Sequence, residues 1–267
     1  MTTSSKPPIV ITTDFGLKDE YAGVLKGVIL SIDADATIID LTHLIPPHDI
    51  RAAARIIGRN HRWFPERSIH LCIVDPGVGS SRRILAIDAA GQFFVGPDNG
   101  VFTPIITAPA CAAIHQLTNV RWFLDTVSRT FHGRDIMAPA AARLSLGEPL
   151  AAAGPRVEID SCMLLDDPQP VVTAAGIAGV VDSIDRFGNC ATTISEAVLR
   201  THATGQRCVV VIKDRIVPMS EQSYAGLTDD TPAALVNSSG YLEISVKNGS
   251  AADLLGAAIG TQVRVRI

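Results

Sequence analysis

The chain has 267 residues, 47% hydrophobic and 19% charged, with a formal net charge of -4. That is enough for one large or two modest domains with a proper hydrophobic core. The balance excludes a disordered tail protein, and it excludes a nucleic-acid binder that relies on a strong basic field.

Residues 9–13 form a short β-branched run, and residues 21–32 carry apolar side chains at Ala22, Leu25, Val28, Ile29 and Ile32, a helical spacing. Strand then helix recurs with residues 37–41 and 49–61, the helix capped by His48 or Asp49, and residues 68–74 make a third, strongly apolar strand. This alternation predicts an N-terminal doubly wound, mainly parallel α/β domain over residues 1–165. Residues 75–79 and 96–100 are rich in turn formers, and residues 131–146 look helical with Pro139 near the first turn. An acidic, proline-rich joint follows at residues 166–170. Beyond it, short β-like runs at 177–181, 208–212, 234–236, 241–246 and 262–267 alternate with helical segments at 195–201 and 251–257. Residues 171–267 therefore read as a smaller C-terminal β-barrel-like domain.

The longest near-apolar stretch, residues 171–181, contains Thr173 and two glycines and falls far short of the roughly 20 residues of a membrane span. The polar first eight residues lack a signal-peptide pattern, so a cytoplasmic protein with no membrane and no nucleic-acid partner is expected. Five widely spaced cysteines without a C-x-x-C pair support neither a disulfide framework nor a zinc cluster.

Ligands of open parallel sheets bind beyond the carboxyl ends of the strands, and three polar clusters fall there. In the first, residues 13–19, Asp14 offers two acceptor oxygens to vicinal hydroxyls and Asp19 a second carboxylate; equally, Asp14 organises a turn and Asp19 caps the helix. In the second, residues 75–83, a Pro-Gly turn presents Asp75 while Arg82 folds back towards it. An aspartate beside a guanidinium stays ionised and accepts firmly from water, although a plain loop-stabilising ion pair has the same signature. In the third, residues 130–139, His132 is a candidate proton acceptor at a helix start, with Asp135 a helix N-terminal carboxylate. Residues 96–100 read as a turn. No G-x-G-x-x-G follows the first strand, no P-loop is present, and no transition-metal motif occurs, so no metal or cofactor is expected.

Together, Thr13-Asp14-Phe15-Gly16, the Asp75–Gly79 turn with Arg82, Pro97-Asp98-Asn99-Gly100, Phe131-His132-Gly133-Arg134-Asp135 and Asp185-Arg186-Phe187-Gly188-Asn189 resemble the S-adenosyl-L-methionine (SAM) hydroxide adenosyltransferases, or SAM hydrolases, relatives of the fluorinases and chlorinases. The resemblance implies hydrolysis of SAM to adenosine and L-methionine. It also implies a homotrimer with active sites between the N-terminal domain of one subunit and the C-terminal domain of its neighbour. It places the water-activating set on Asp75, Arg82 and His132, a set the halogenases lack. It assigns the ribose hydroxyls to Asp14, the methionine ammonium to Asp19 and Asp185, the methionine carboxylate to Ser238, and adenine to Asn189 with Asn248 and Gly249. One extra residue at 247–250, His48 in place of a halogenase aromatic and Ser239 in place of an arginine are departures from the halogenase pattern. On this reading Asp75 orients the water, and His132 takes its proton. Two rivals are weighed: a calcium-dependent nucleoside hydrolase, whose metal cage is spoiled by Lys18 within the first loop, and a non-catalytic SAM or adenosine sensor.

Overall fold

The computed structural model describes residues 6–166, 168–203 and 208–267. The chain forms two compact units, Met1–Leu165 and Asp166–Ile267.

In the first unit, β1 (Ile9–Thr13) and β3 (Ile69–Ile73) are buried along their whole length, as continuous apolar strands covered on both faces must be. With β2 (Ile38–Thr42), β4 (Ile84–Ala89), β5 (Gln92–Pro97) and β6 (Cys111–Gln116) they make a six-stranded sheet ordered β2-β1-β3-β5-β4-β6. The pairs β1–β2, β1–β3 and β3–β5 are parallel, whereas β4 runs antiparallel to both its neighbours. Helices α1 (Tyr21–Ile32) and α4 (Ala138–Ser145) share one core with Ile9, Ile11 and Leu71; α2 (Ile50–Asn60) and α3 (Thr103–Ile106) share a second with Leu85, Ile87 and Phe94.

Helix α2 starts at Asp49, whose carboxylate accepts from the Ala52 N–H at 2.8 Å, so Asp49 and not His48 is the cap. The predicted helix 131–146 is two structures: a π-helical turn, Gly133–Met137, and then α4. Pro139 explains the junction, because it has no N–H for the Asp135 carbonyl four residues back; the Leu124 N–H takes that carbonyl at 2.9 Å. The β4–β5 hairpin is absent from the sequence reading. Its two-residue turn is Ala90-Gly91, both at positive φ (52° and 72°), and alanine there hides the usual Asn-Gly signal.

The second unit contains β7 (Val171–Thr173), β8 (Gly176–Ile184), β9 (Cys190–Ser195), α5 (Glu196–Ala203), β10 (Val209–Ile212), β11 (Arg215–Pro218), β12 (Pro232–Val236), β13 (Tyr241–Val246), α6 (Ala251–Leu255) and β14 (Gln262–Arg266). The antiparallel order is β11-β10-β14-β8-β9-β13-β12, with β7 on β8. The end strands nearly close the sheet into a barrel: the Ser220 N–H donates to the Ala234 carbonyl at 2.7 Å. Val181, Ile194, Val210, Leu242, Ile244 and Val263 fill its interior. Helix α6 stops two residues earlier than its sequence pattern, at Gly256 in the left-handed conformation (φ 58°).

Candidate active site

Asp75 lies two residues beyond β3. Its turn is closed by the Val78 N–H on the Asp75 carbonyl and by the Ser80 hydroxyl on the Gly77 carbonyl at 2.7 Å, while the Ser80 oxygen accepts from the Arg82 N–H at 3.2 Å. Gly79 has φ +79°, and a Cβ there would stand 2.5 Å from the Arg129 carbonyl oxygen; only glycine lets the turn press against the loop that carries His132. Arg82 thereby folds back. Its Nε donates to both Asp75 oxygens (2.7 and 2.9 Å), and its Nη2 donates to Oδ2 at 2.5 Å. The two side chains are 9% and 5% exposed, so water screens this pair weakly.

The same Nη2 lies 3.0 Å from His132 Nδ1. A guanidinium only donates, so Nδ1 accepts and the neutral imidazole carries its hydrogen on Nε2. Burial and then the Arg82 charge push the His132 pKa below its usual 6.5, against an opposite pull from Asp75 and Asp135. Asp135, fully buried, ties the His132 loop down: it accepts from the Ser128 N–H at 2.7 Å and from Arg134 Nε at 2.6 Å. Burial would raise its pKa, but the hydrogen bonds from Arg134 and Ser128 outweigh that and hold it below the usual value.

Asp75 and His132 line a cleft of about 270 Å³ together with Asp14, Phe15, Tyr21 and Phe131. The three rings form a cluster with centroids 5.4 to 5.8 Å apart, Phe131 meeting Phe15 and Tyr21 edge-on and those two tilted against each other. Asp14 Oδ2 accepts from the His48 N–H at 2.9 Å, and His48 itself adopts φ 67°. Asp19 is exposed and does not line this cleft; nor does it cap α1, whose N-cap is Glu20 without a side-chain bond. In the 96–100 segment Asp98 is a buried anchor, taking Arg83 Nε at 2.8 Å and the Met163 N–H at 2.9 Å.

The second unit has its own pocket of about 770 Å³, lined by Asp185, Phe187, Asn189, Tyr224, Asn248 and Gly249 among others. Asp185 Oδ1 accepts from the Phe187 and Asn189 N–H groups, and Oδ2 accepts from Asn189 Nδ2, each at 2.9 Å. Ser238 is exposed on the turn between β12 and β13, at the other end of β13 from Asn248 and Gly249, and does not line this pocket. Two residues escaped the sequence reading. The Tyr224 hydroxyl donates to the buried Glu243 carboxylate at 2.7 Å, and Glu243 also accepts from Asn237 Nδ2 and Ser245 Oγ, each at 2.9 Å. Burial first, and then Glu243, push the Tyr224 phenol pKa up. The alternation Leu242, Glu243, Ile244, Ser245 put Glu243 on an apparently polar strand face outside the barrel, a signal of exposure that the Tyr224–Gly226 turn packed on that face reverses. The ring cluster was visible only in part, since Phe15 and Phe131 stand inside the quoted motifs. Among the described residues no three His, Cys, Asp or Glu side chains are grouped as a metal site, and no helix is long and apolar enough to cross a membrane.

A parallel-rich α/β unit with a carboxylate–guanidinium–imidazole cluster beyond its strand ends, followed by a nearly closed antiparallel barrel, defines a two-domain enzyme class. Residues 9–154 match the SAM hydroxide adenosyltransferase N-terminal domain and residues 179–264 the C-terminal domain of that family, and the chain belongs to it. It is 38% identical over 267 residues to the (R)-S-adenosyl-L-methionine hydrolase of Salinispora arenicola, covering 98% of each chain. To the (R)-S-adenosyl-L-methionine hydrolase of Thermus thermophilus it is 36% identical over 268 residues, covering 97% of this chain and 99% of the other. A fluorinase from Actinopolyspora mzabensis is more distant, at 27% identity over 292 residues and 98% and 97% coverage. Among solved structures, an uncharacterized conserved protein from Thermotoga maritima superimposes with a TM-score of 0.91 at 33% identity, covering 97% of this chain and all of that one.

Proposed function

We propose that this protein hydrolyses SAM to adenosine and L-methionine, and that it takes the (R) form named in its hydrolase relatives. The observation that carries the reading is the Asp75–Arg82–His132 cluster, an ionic and hydrogen-bonded unit on the wall of a cleft. In the proposed step a water oxygen attacks ribose C5′ in line with the C5′–S bond. The C–O bond forms as the C–S bond breaks, and the bonding pair leaves on sulfur as the neutral thioether of methionine, so no general acid is needed. Holding water and substrate as an attacking pair contributes about 7–11 kcal/mol, the chief term.

Asp75, locked by Arg82, accepts one hydrogen of the water and receives its proton as the oxygen becomes an oxonium; the proton then passes to solvent. His132 has a different part from the one the sequence reading gave it. With Nδ1 taken by Arg82 and a ring N–H already engaged by the Ser128 backbone, the neutral ring has no acceptor left for a proton and serves to hold Arg82 in place against Asp75. Loss of the sulfonium charge in the transition state is favoured by a site that excludes water. Asp14 takes the ribose hydroxyls. In the second unit, Asn189, Asn248 and Gly249 receive the adenine, Asp185 the ammonium together with Asp19 of a first unit, and Ser238 the carboxylate. The proposal includes a cytoplasmic homotrimer whose sites combine the first unit of one subunit with the second unit of its neighbour; it is supported by the division of Asp14 and Asp75 from Asp185, Asn189, Asn248 and Gly249 between two pockets. No metal or redox cofactor enters the step.

The deciding experiment incubates purified protein separately with (R)- and (S)-SAM and follows adenosine by chromatography, with and without chelator, chloride or fluoride. Adenosine from the (R) form, unaffected by chelator and with no halogenated nucleoside, is expected. Unchanged SAM would mean a sensor and would overturn the reading. Light scattering in solution tests the trimer.

A further inference from the structure

The ends of β1 and β2 carry a chain of polar contacts that the proposed step leaves unused. His43, one residue past β2, is 3% exposed. Its Nδ1 lies 2.8 Å from Thr13 Oγ1, and its Nε2 lies 3.1 Å from Asp40 Oδ1, an ion-pair distance with an off-line N–H direction. Asp40 also accepts from Lys26 Nζ at 2.6 Å, and Thr13 Oγ1 accepts from the Phe15 N–H at 3.2 Å. The carboxylate beside Nε2 keeps the ring hydrogen there. Nδ1 is then an acceptor, the Thr13 hydroxyl donates to it, and the Thr13 lone pairs are left for the Phe15 N–H.

Asp, His and hydroxyl in this order have the form of a nucleophilic triad, but Thr13 is fully buried and no substrate reaches it. The consequence is geometric. The Thr13–Phe15 bond spans Asp14, and the Gly16 N–H donates to the His43 carbonyl at 2.7 Å, so both the side chain and the backbone of His43 hold the segment that carries Asp14. We propose that Asp40, His43 and Thr13 are positioning residues that fix the Asp14 carboxylate for a ribose diol. This rests on the assignment of Asp14 under the proposed function.

The test measures adenosine and L-methionine affinities by calorimetry, with melting temperature as the check on folding. Thr13→Val and His43→Ala are expected to weaken adenosine roughly tenfold while leaving L-methionine unchanged. Asp14→Ala should weaken adenosine at least as much, and adding Thr13→Val to it should cost nothing more. His43→Asn, whose amide oxygen can replace Nδ1 as acceptor, should restore most of the affinity. Asp40→Asn perturbs the solvent-facing end of the relay and provides a milder variant; a loss of about threefold, absent in the Asp14→Ala background, is expected. Adenosine affinity unchanged in Thr13→Val or Asp40→Asn, with Asp14→Ala weakened, overturns the relay and leaves the ribose assignment standing. Unchanged affinity in Asp14→Ala overturns both.

Discussion

The two pockets are built from bonds of different range. In the first unit Asp75 reaches Arg82 seven residues on, and Arg82 reaches His132 fifty residues further, so the cluster exists only when β3, its turn and the π-helical turn are all in place. In the second unit Asp185 bonds within its own loop, to Phe187 and Asn189 two and four residues away. A long-range cluster is held by the whole fold and keeps charged groups in a fixed relation, which suits chemistry. A self-bonded loop presents a surface and suits recognition. Substitutions in the long-range cluster should therefore change rate, and those in the self-bonded loop should change affinity.

The largest expected effect comes from breaking the long-range cluster. Asp75→Ala and Arg82→Ala should each slow adenosine formation by about 10²–10⁴-fold, the scale of a lost proton-transfer group, while moving the SAM dissociation constant by less than tenfold. Single-turnover kinetics with equilibrium binding separate the two quantities. Rate unchanged in Asp75→Ala would place the chemistry elsewhere.

His132 sharpens the same contrast through pH. Its folded pKa is depressed below 6.5, first by burial and then by Arg82, so the neutral ring survives as pH falls through 6.5 and protonates only further down. Protonation would put a hydrogen on Nδ1 against the Arg82 donor and break the cluster. The rate constant kcat/KM should thus stay level across pH 6.5 and decline below it. A decline centred at 6.5 would mean that the ring is neither buried nor faced by Arg82.

Stability gives the next effect. Asp135 has a folded pKa below the usual 3.8, because the hydrogen bonds from Arg134 and Ser128 outweigh burial. Such a group stabilises the fold above its unfolded pKa, and that contribution is lost as pH falls through the folded value. Asp135→Asn should lower the melting temperature at pH 7, by the scale of a hydrogen bond to a charged group, about 1.5–3 kcal/mol, and the deficit should shrink as the wild type is acidified below pH 4. Calorimetry across pH 3–7 checks it.

The same difference in range governs what the sequence made legible. Strands β1 and β3 and helix α1 announce themselves because their apolar periodicity is local, and the turn at 75–79 because glycine and proline write it directly. Asp75 and Arg82 were found in one motif and His132 in another, but that Arg82 also contacts His132, and so fixes the imidazole tautomer, depends on tertiary geometry with no local trace. Strands β4, β5, β6, β7, β9 and β11 were missed; the β4–β5 and β10–β11 turns lack asparagine, and β9 runs straight into helix at Ser195. Glu243 was missed because a buried carboxylate satisfied by three neutral donors looks, in one dimension, like any exposed glutamate.

The smallest expected effect tests the recognition side. Tyr224→Phe removes one of three donors to Glu243 and nothing from the first unit's cleft. Asn237 and Ser245 still satisfy the carboxylate, so the fold should lose only about 0.5–1.5 kcal/mol. If Tyr224 serves the pocket wall through Glu243, KM rises modestly, kcat holds, and the melting temperature falls by a few degrees. Glu243→Gln should give the same pattern, because an amide nitrogen cannot accept from a donor already aimed at it. A large rise in KM for Tyr224→Phe with an unchanged melting temperature would instead mean that the phenol hydroxyl meets the ligand directly, and the second pocket would then read substrate through a placed donor as well as through shape.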